Sequence, residues 1–203
     1  MSMKHVSMLL GIVCVAALTG CTSIVRPHVA EAEFLTSTPK AAGRAELYVT
    51  EEFRTHNESK TDVMDMKKWQ FDLGPLAVDT FKYALGSRFE KVDVKLGTPS
   101  FPLSAGNAGD LIVAVEPAFA GFSSHCPFLF KFETYVVKVS FKVKAYDQAG
   151  KTLIDKVYQG EGKKRGSIGT ASAGLDANPV AAQLAVKDAV TQAVDDILAA
   201  AKK

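Results

Sequence analysis

The sequence predicts an α+β fold, with one mostly antiparallel sheet and two helices packed on a single face of it. Three observations carry that expectation. Segments with strand character come in groups and do not alternate strictly with helices. Residues 137–146 alternate apolar and polar side chains and are followed by the turn residues Asp147-Gln148-Ala149-Gly150, which suit a hairpin because Gly150 can supply a positive φ. Two segments, after Pro75 and after Pro179, change to helical spacing.

The elements follow in order. Over 44–50, Leu47 and Val49 alternate with neighbours of the other class, as in a strand. Residues 57–62 are polar and turn-like. Trp69, Phe71 and Leu73 alternate with Gln70 and Asp72, which makes 68–73 a second strand. Gly74-Pro75 breaks it, and Pro75 suits the first turn of a helix. Val78, Phe81, Leu85 and Phe89 then lie on one helical face. Residues 91–96 alternate again, 97–109 form a long Gly/Ser/Pro-rich loop carrying Phe101, and 111–115 read as an apolar inner strand. Pro117 marks a strand end or edge. In the next strand Val137, Val139, Phe141, Val143 and Ala145 point one way, and 152–160 return as its hairpin partner. A glycine-rich loop over 162–178 leads to a helix with Asn178 as N-cap and Pro179 as its first residue. Its apolar stripe is Val186, Ala189, Val190, Ala193, Val194 and Ile197. There is no fixed-period repeat.

The first twenty residues carry a different signal. A short basic start with Lys4 and His5 precedes an uncharged apolar stretch over 6–18, then Leu18-Thr19-Gly20-Cys21. That order is a secretory leader, and it is short for a membrane span, which needs ~20 apolar residues. The tetrapeptide resembles a lipobox: an aliphatic residue, two small ones that let a peptidase reach the backbone, and the cysteine that accepts a diacylglyceryl group. The alternatives are an ordinary secreted protein with Cys21 left as a thiol, or an uncleaved anchor helix. Thr22 stands where an Asp tends to retain enteric lipoproteins in the inner membrane, so by resemblance to that rule the chain sorts to the outer membrane. The expected organisation is therefore 1–20 signal peptide, 21–43 lipidated cysteine and flexible tether, stiffened by Pro27 and Pro39, and 44–203 a periplasmic domain.

Composition excludes some classes. The chain has 203 residues, 24 basic and 22 acidic, for a net charge of +2. Loss of Lys4 with the leader reduces this to +1. Such balance makes no electrostatic case for nucleic acid. About 47% of residues are apolar, enough for one domain's core. Of three cysteines, Cys14 leaves with the leader and Cys21 is expected to be acylated, so Cys126 has no intramolecular partner. It is either buried and inert or paired with another chain.

These features together resemble the small outer-membrane lipoproteins of Gram-negative bacteria, including the YajG-type group and the auxiliary lipoproteins of envelope ABC transport systems. The carriers are the Leu18-Thr19-Gly20-Cys21 lipobox, the Gly74-Pro75 break, the 137–147 strand with its Gly150-Lys151 turn, and the Ala-rich C-terminal helix. The resemblance spans most of the domain. It implies a lipid-anchored, non-enzymatic accessory role at the periplasmic face of the outer membrane, through an envelope protein partner or lipid. It transfers Cys21 alone as a site residue and leaves oligomeric state open.

No catalytic motif stands out. There is no G-x-S-x-G elbow, no metal-ligand spacing, and no cofactor motif. His125-Cys126 could suggest a thiol pair, but neighbours in an extended chain point apart. Gly160 to Gly166, with Lys163-Lys164-Arg165, lacks the order of a phosphate loop; its basic run could touch lipid phosphates or be a solvated strand end. The lysine row Lys138, Lys142 and Lys144 could meet an anionic surface or guard a strand edge against aggregation. The Phe-rich segment 119–132 is the candidate partner surface, with Phe122, Phe128 and Phe130 as its anchors; alternatively its rings close one end of the core. The leading function is an accessory component of an envelope complex. The alternatives are a binder of lipid or another amphipathic molecule, and a hydrolase whose site the sequence does not display.

Overall fold

The computed structural model describes residues 21–27, 30–34, 40–61, 67–103, 111–125, 134–166 and 173–202. The expected leader lies outside them. The chain runs through β1 (Cys21–Val25), a 3-10 turn (Glu31–Phe34), β2 (Ala41–Val49), α1 (Glu51–Arg54), β3 (Asn57–Thr61), β4 (Lys67–Asp72) and α2 (Leu73–Gly86). It continues through β5 (Phe89–Leu96), β6 (Leu111–His125), β7 (Thr134–Tyr146), β8 (Thr152–Arg165) and α3 (Ala173–Ala201). A five-stranded sheet has the order β5-β2-β6-β7-β8, and a three-stranded one the order β1-β4-β3.

The fold is α+β, but the large sheet is mixed and not mostly antiparallel. β2 is parallel to both β5 and β6, while β6, β7 and β8 are antiparallel neighbours. The cause is the chain between β2 and β5, long enough to cross over and return in the same direction; strand periodicity alone does not encode direction. Three helices, not two, are present among the described residues. The added one, α1, is capped where Thr50 Oγ1 accepts from the Phe53 N–H at 3.1 Å.

One core serves both sheets and the helices. The predicted row Val137, Val139, Phe141, Val143 and Ala145 is buried, as is the whole predicted stripe of α3. Leu47 and Val113 from the parallel strands, Leu73 and Phe81 from α2, and Trp69 and Phe71 from β4 join them. Gly150 closes the β7–β8 hairpin at φ +92°.

Several boundaries differ from expectation. The 21–43 segment is not a tether over its described residues: Cys21–Val25 pairs in parallel with Lys67–Phe71, and Ala41 already begins β2. The free edge of β4 satisfies backbone groups that a tether would leave to water. The polar stretch after His56 is an edge strand, paired antiparallel with β4, so its polarity reflects exposure. Phe89 is buried in β5 and not on the helix. β6 continues ten residues past the predicted strand, because a register shift between Phe119 and Gly121 breaks the alternation that would reveal it. Pro117 is tolerated there because β2 stops pairing at Val115, leaving β6 a free edge on that side. α3 starts at Ala173, with Pro179 inside it and Asn178 fully buried. A proline removes only one intrahelical hydrogen bond, and burial of Ala177 and Asn178 holds the preceding turn.

Candidate functional site

The candidate site is the end of the molecule where Cys21 lies. Two ring contacts fix its direction. His56, just before β3, stacks on Phe119 with centroids 3.9 Å apart, and Phe71 of β4 lies 5.1 Å from Phe122. The small sheet therefore runs alongside β6, with Asp72 near Phe119 and Phe71 near Phe122. Arg26 agrees, bonding Asp72 at 3.2 Å just beyond β1. From Phe71 back to Lys67 is ~13 Å at strand rise, and from Phe122 to His125 is about 10 Å in the same direction. Cys21, the register partner of Lys67, thus lies at the end marked by His125, Thr134 and Arg165. α3 runs antiparallel to β8, with Ala181 against Gly162 and Ala185 against Gly160, so its N-terminus lies at this end as well.

Lys68, Lys163, Lys164 and Arg165, all exposed, sit on strands that end here. Lys163 bonds Glu161, which also receives Lys138 at 2.8 Å. Those two ammonium groups pull the Glu161 carboxyl down to about 2, so it stays charged across any physiological pH. Lys163-Lys164-Arg165 is the end of β8 and not a phosphate loop.

The Phe-rich segment divides. Phe119 packs against Phe53 and Phe141, each with centroids 4.9 Å away. Phe122 is half-buried, packed on the core as well as on Phe71. Cys126, Phe128 and Phe130 lie outside the described residues; the strand ends that flank them, His125 and Thr134, are at the Cys21 end. His125 itself is exposed. Lys138 and Lys142 of the predicted lysine row are engaged by Glu161 and by Asp155, the latter at 3.3 Å.

The outer face of the large sheet holds a polar cluster that sequence reading passed over. Glu46, 1% exposed, accepts from the Tyr48 hydroxyl at 2.7 Å and pairs with Lys95 at 2.8 Å and Arg44 at 3.0 Å. Burial pushes its carboxyl up, but the bonds from Lys95 and Tyr48 and the nearby Arg44 charge outweigh that and leave it below its ordinary value. The cover comes from 97–103, where Leu103 packs with Tyr48, Ile112 and Ala114, and Phe101 lies 5.2 Å from Tyr146. The available signal was the period of two, which puts Arg44, Glu46 and Tyr48 on one face of β2. A cleft of about 150 Å³ lies between Phe34, α2 and α3. Its charged lining is paired internally, Lys187 with Glu33 and Arg88 with Asp195. Among the described residues, no group of three metal-ligating side chains converges, and no helix is long and apolar enough to cross a membrane.

No family model matches the sequence. No curated protein matches it either. Solved structures do. A Xanthomonas campestris protein of family DUF330 superposes with a TM-score of 0.51 at 13% identity, covering 89% of this chain and 97% of its own. A candidate lipoprotein of Caulobacter crescentus gives 0.44 at 13% identity, covering 78% and 92%. A minor lipoprotein of Acinetobacter baumannii gives 0.38 at 10% identity, covering 79% and 94%. At such identity the first match speaks to fold alone, and the other two superpose too loosely to add to it. The YajG-type group does not appear among these matches.

Proposed function

We propose that the chain is a bacterial envelope lipoprotein, cut before Cys21 and anchored by lipid on it, that serves as a non-enzymatic accessory or binding component of an envelope complex. The observation that carries the reading is Leu18-Thr19-Gly20-Cys21 after a basic and apolar leader. In the fold, Cys21 is the first residue of β1. Acyl chains would hold it through buried CH₂ groups, ~0.8 kcal/mol each. Thr22 favours the outer membrane, with the domain at its periplasmic face. Phe122, with Phe128 and Phe130, is the proposed partner contact. The cleft beside Phe34 is itself a poor seat for an amphipathic small molecule, because it is below the ~300–1,000 Å³ usual for such sites and its charges are already paired.

The deciding measurement is the intact mass of the protein purified from bacterial envelopes, beside Cys21→Ser. A diacylglyceryl-modified chain beginning at residue 21, absent from the variant, is expected. An unmodified thiol in the wild-type chain would remove the anchor. Cross-linking in envelopes before purification should recover a protein partner with the lipidated form only. Broad esterase and peptidase assays on the same preparation should show no turnover above buffer.

A further inference from the structure

We infer that the Cys21 end of the domain is a membrane-facing surface, whose basic groups rest on anionic phospholipid headgroups. The inference rests on the lipoprotein reading for the anchor, and adds an orientation and a lipid preference to it. Three strands from separate parts of the chain converge there: β1 brings Cys21, β4 brings Lys67 and Lys68, and β8 brings Lys163, Lys164 and Arg165. Lys68, Lys163, Lys164 and Arg165 are exposed. The exposed Thr22 follows the anchor directly inside β1, so the described structure leaves no slack between lipid and domain.

Charge complementarity selects the occupant. Headgroup attraction acts only within about a Debye length, ~8 Å at physiological salt. A cysteine whose acyl chains enter the bilayer places its own end of a rigid sheet within that range. Lys142 of β7 does not compete, because it lies mid-strand, away from this end. Glu161, the acid beside the cluster, is already bridged by Lys138 and Lys163. Asp62, Asp65 and Glu133 adjoin these strands in sequence and lower the net charge, so the attraction is graded and salt-screened.

The test uses the full-length protein, reconstituted into vesicles of phosphatidylcholine alone or with one third phosphatidylglycerol. Amide hydrogen exchange is read over 163–166 and 67–70. Exchange there should slow in the anionic vesicles and recover in high salt. Lys163→Gln and Lys164→Gln should each lower the docked population about fivefold. Lys142→Gln, the same charge change mid-strand, should leave it unchanged. Far-UV circular dichroism checks that each variant is folded. Equal exchange in both vesicle types, or slowing indifferent to salt and to both lysines, overturns the inference. If the intact mass shows an unmodified Cys21, the anchor reading fails on its own. The same chain is then floated with the same vesicles: co-flotation with anionic vesicles alone retains the basic surface, and its absence removes it.

Discussion

Glu46 is a carboxylate almost out of contact with water, and three neighbours keep it charged. Its folded value lies below the ordinary 4.5, so its contribution to stability is present above that value and is lost as pH falls through the lowered folded value. Thermal melts should therefore show Tm falling as pH drops below 4.5. Glu46→Gln should cost about 1–3 kcal/mol at neutral pH, because Lys95 and Arg44 lose a charged acceptor. Its acid slope should be flatter than that of the wild-type chain. A variant matching wild type in both Tm and slope would show the cluster to be idle. This cluster was hard to see in the sequence for a physical reason. A period of two placed Arg44, Glu46 and Tyr48 together, but that face reads as wet until the 97–103 segment is known to fold beneath it with Leu103. The lipobox resemblance at Cys21 rests on a local signal alone: a leader and four consecutive residues. The Lys163-Lys164-Arg165 run is plain in the sequence, but that it shares an end of the molecule with Lys68 follows only from the packing of two sheets.

At the scale of elements, the contact between α3 and β8 depends on small residues on both sides. A Cβ at Gly160 would run into the backbone at Ala185 and Ala189, and one at Gly162 into Ala181 and Ala185. The alanines of α3 thus do more than favour helix: they let its backbone lie almost on the strand. Gly160→Ala and Gly162→Ala should each cost ~1–3 kcal/mol by overpacking. In a domain of this size that is a fall of several degrees in Tm, read by circular dichroism or calorimetry. Unchanged melting would mean that the helix can slide outward at no cost. Read alone, Gly160 looks like a strand end and Gly162 like the start of a loop, since nothing in their neighbourhood announces a helix twenty residues later. The strands that kept strict alternation, above all β7, were legible residue by residue. Those that did not were the ones altered by tertiary contact, such as β6 with its shifted register after Phe119 and α3 with Pro179 beyond its first turn.

For the whole molecule, the absence of a tether over the described part of 21–43 changes what the proposed anchor would do. A flexible spacer would let the domain tumble above the membrane and leave its orientation to a partner. On the proposed lipidation of Cys21, a strand that begins at that residue would couple the two, so that the bilayer itself would orient the sheets, with the β7–β8 turn at Asp147–Gly150 pointing away from the surface that holds Arg165. That coupling can be severed without touching the fold. Ten Gly/Ser residues inserted between Cys21 and Thr22 span roughly 17 Å as a random coil, about twice the ~8 Å over which headgroup charge is felt. The spacer variant should keep its lipidated mass and its Tm, yet lose the anionic-vesicle protection at 163–166 expected of the parent chain. Retained protection would mean that the basic end finds headgroups by its own affinity, and that the place of Cys21 at the start of β1 is incidental to how the domain sits.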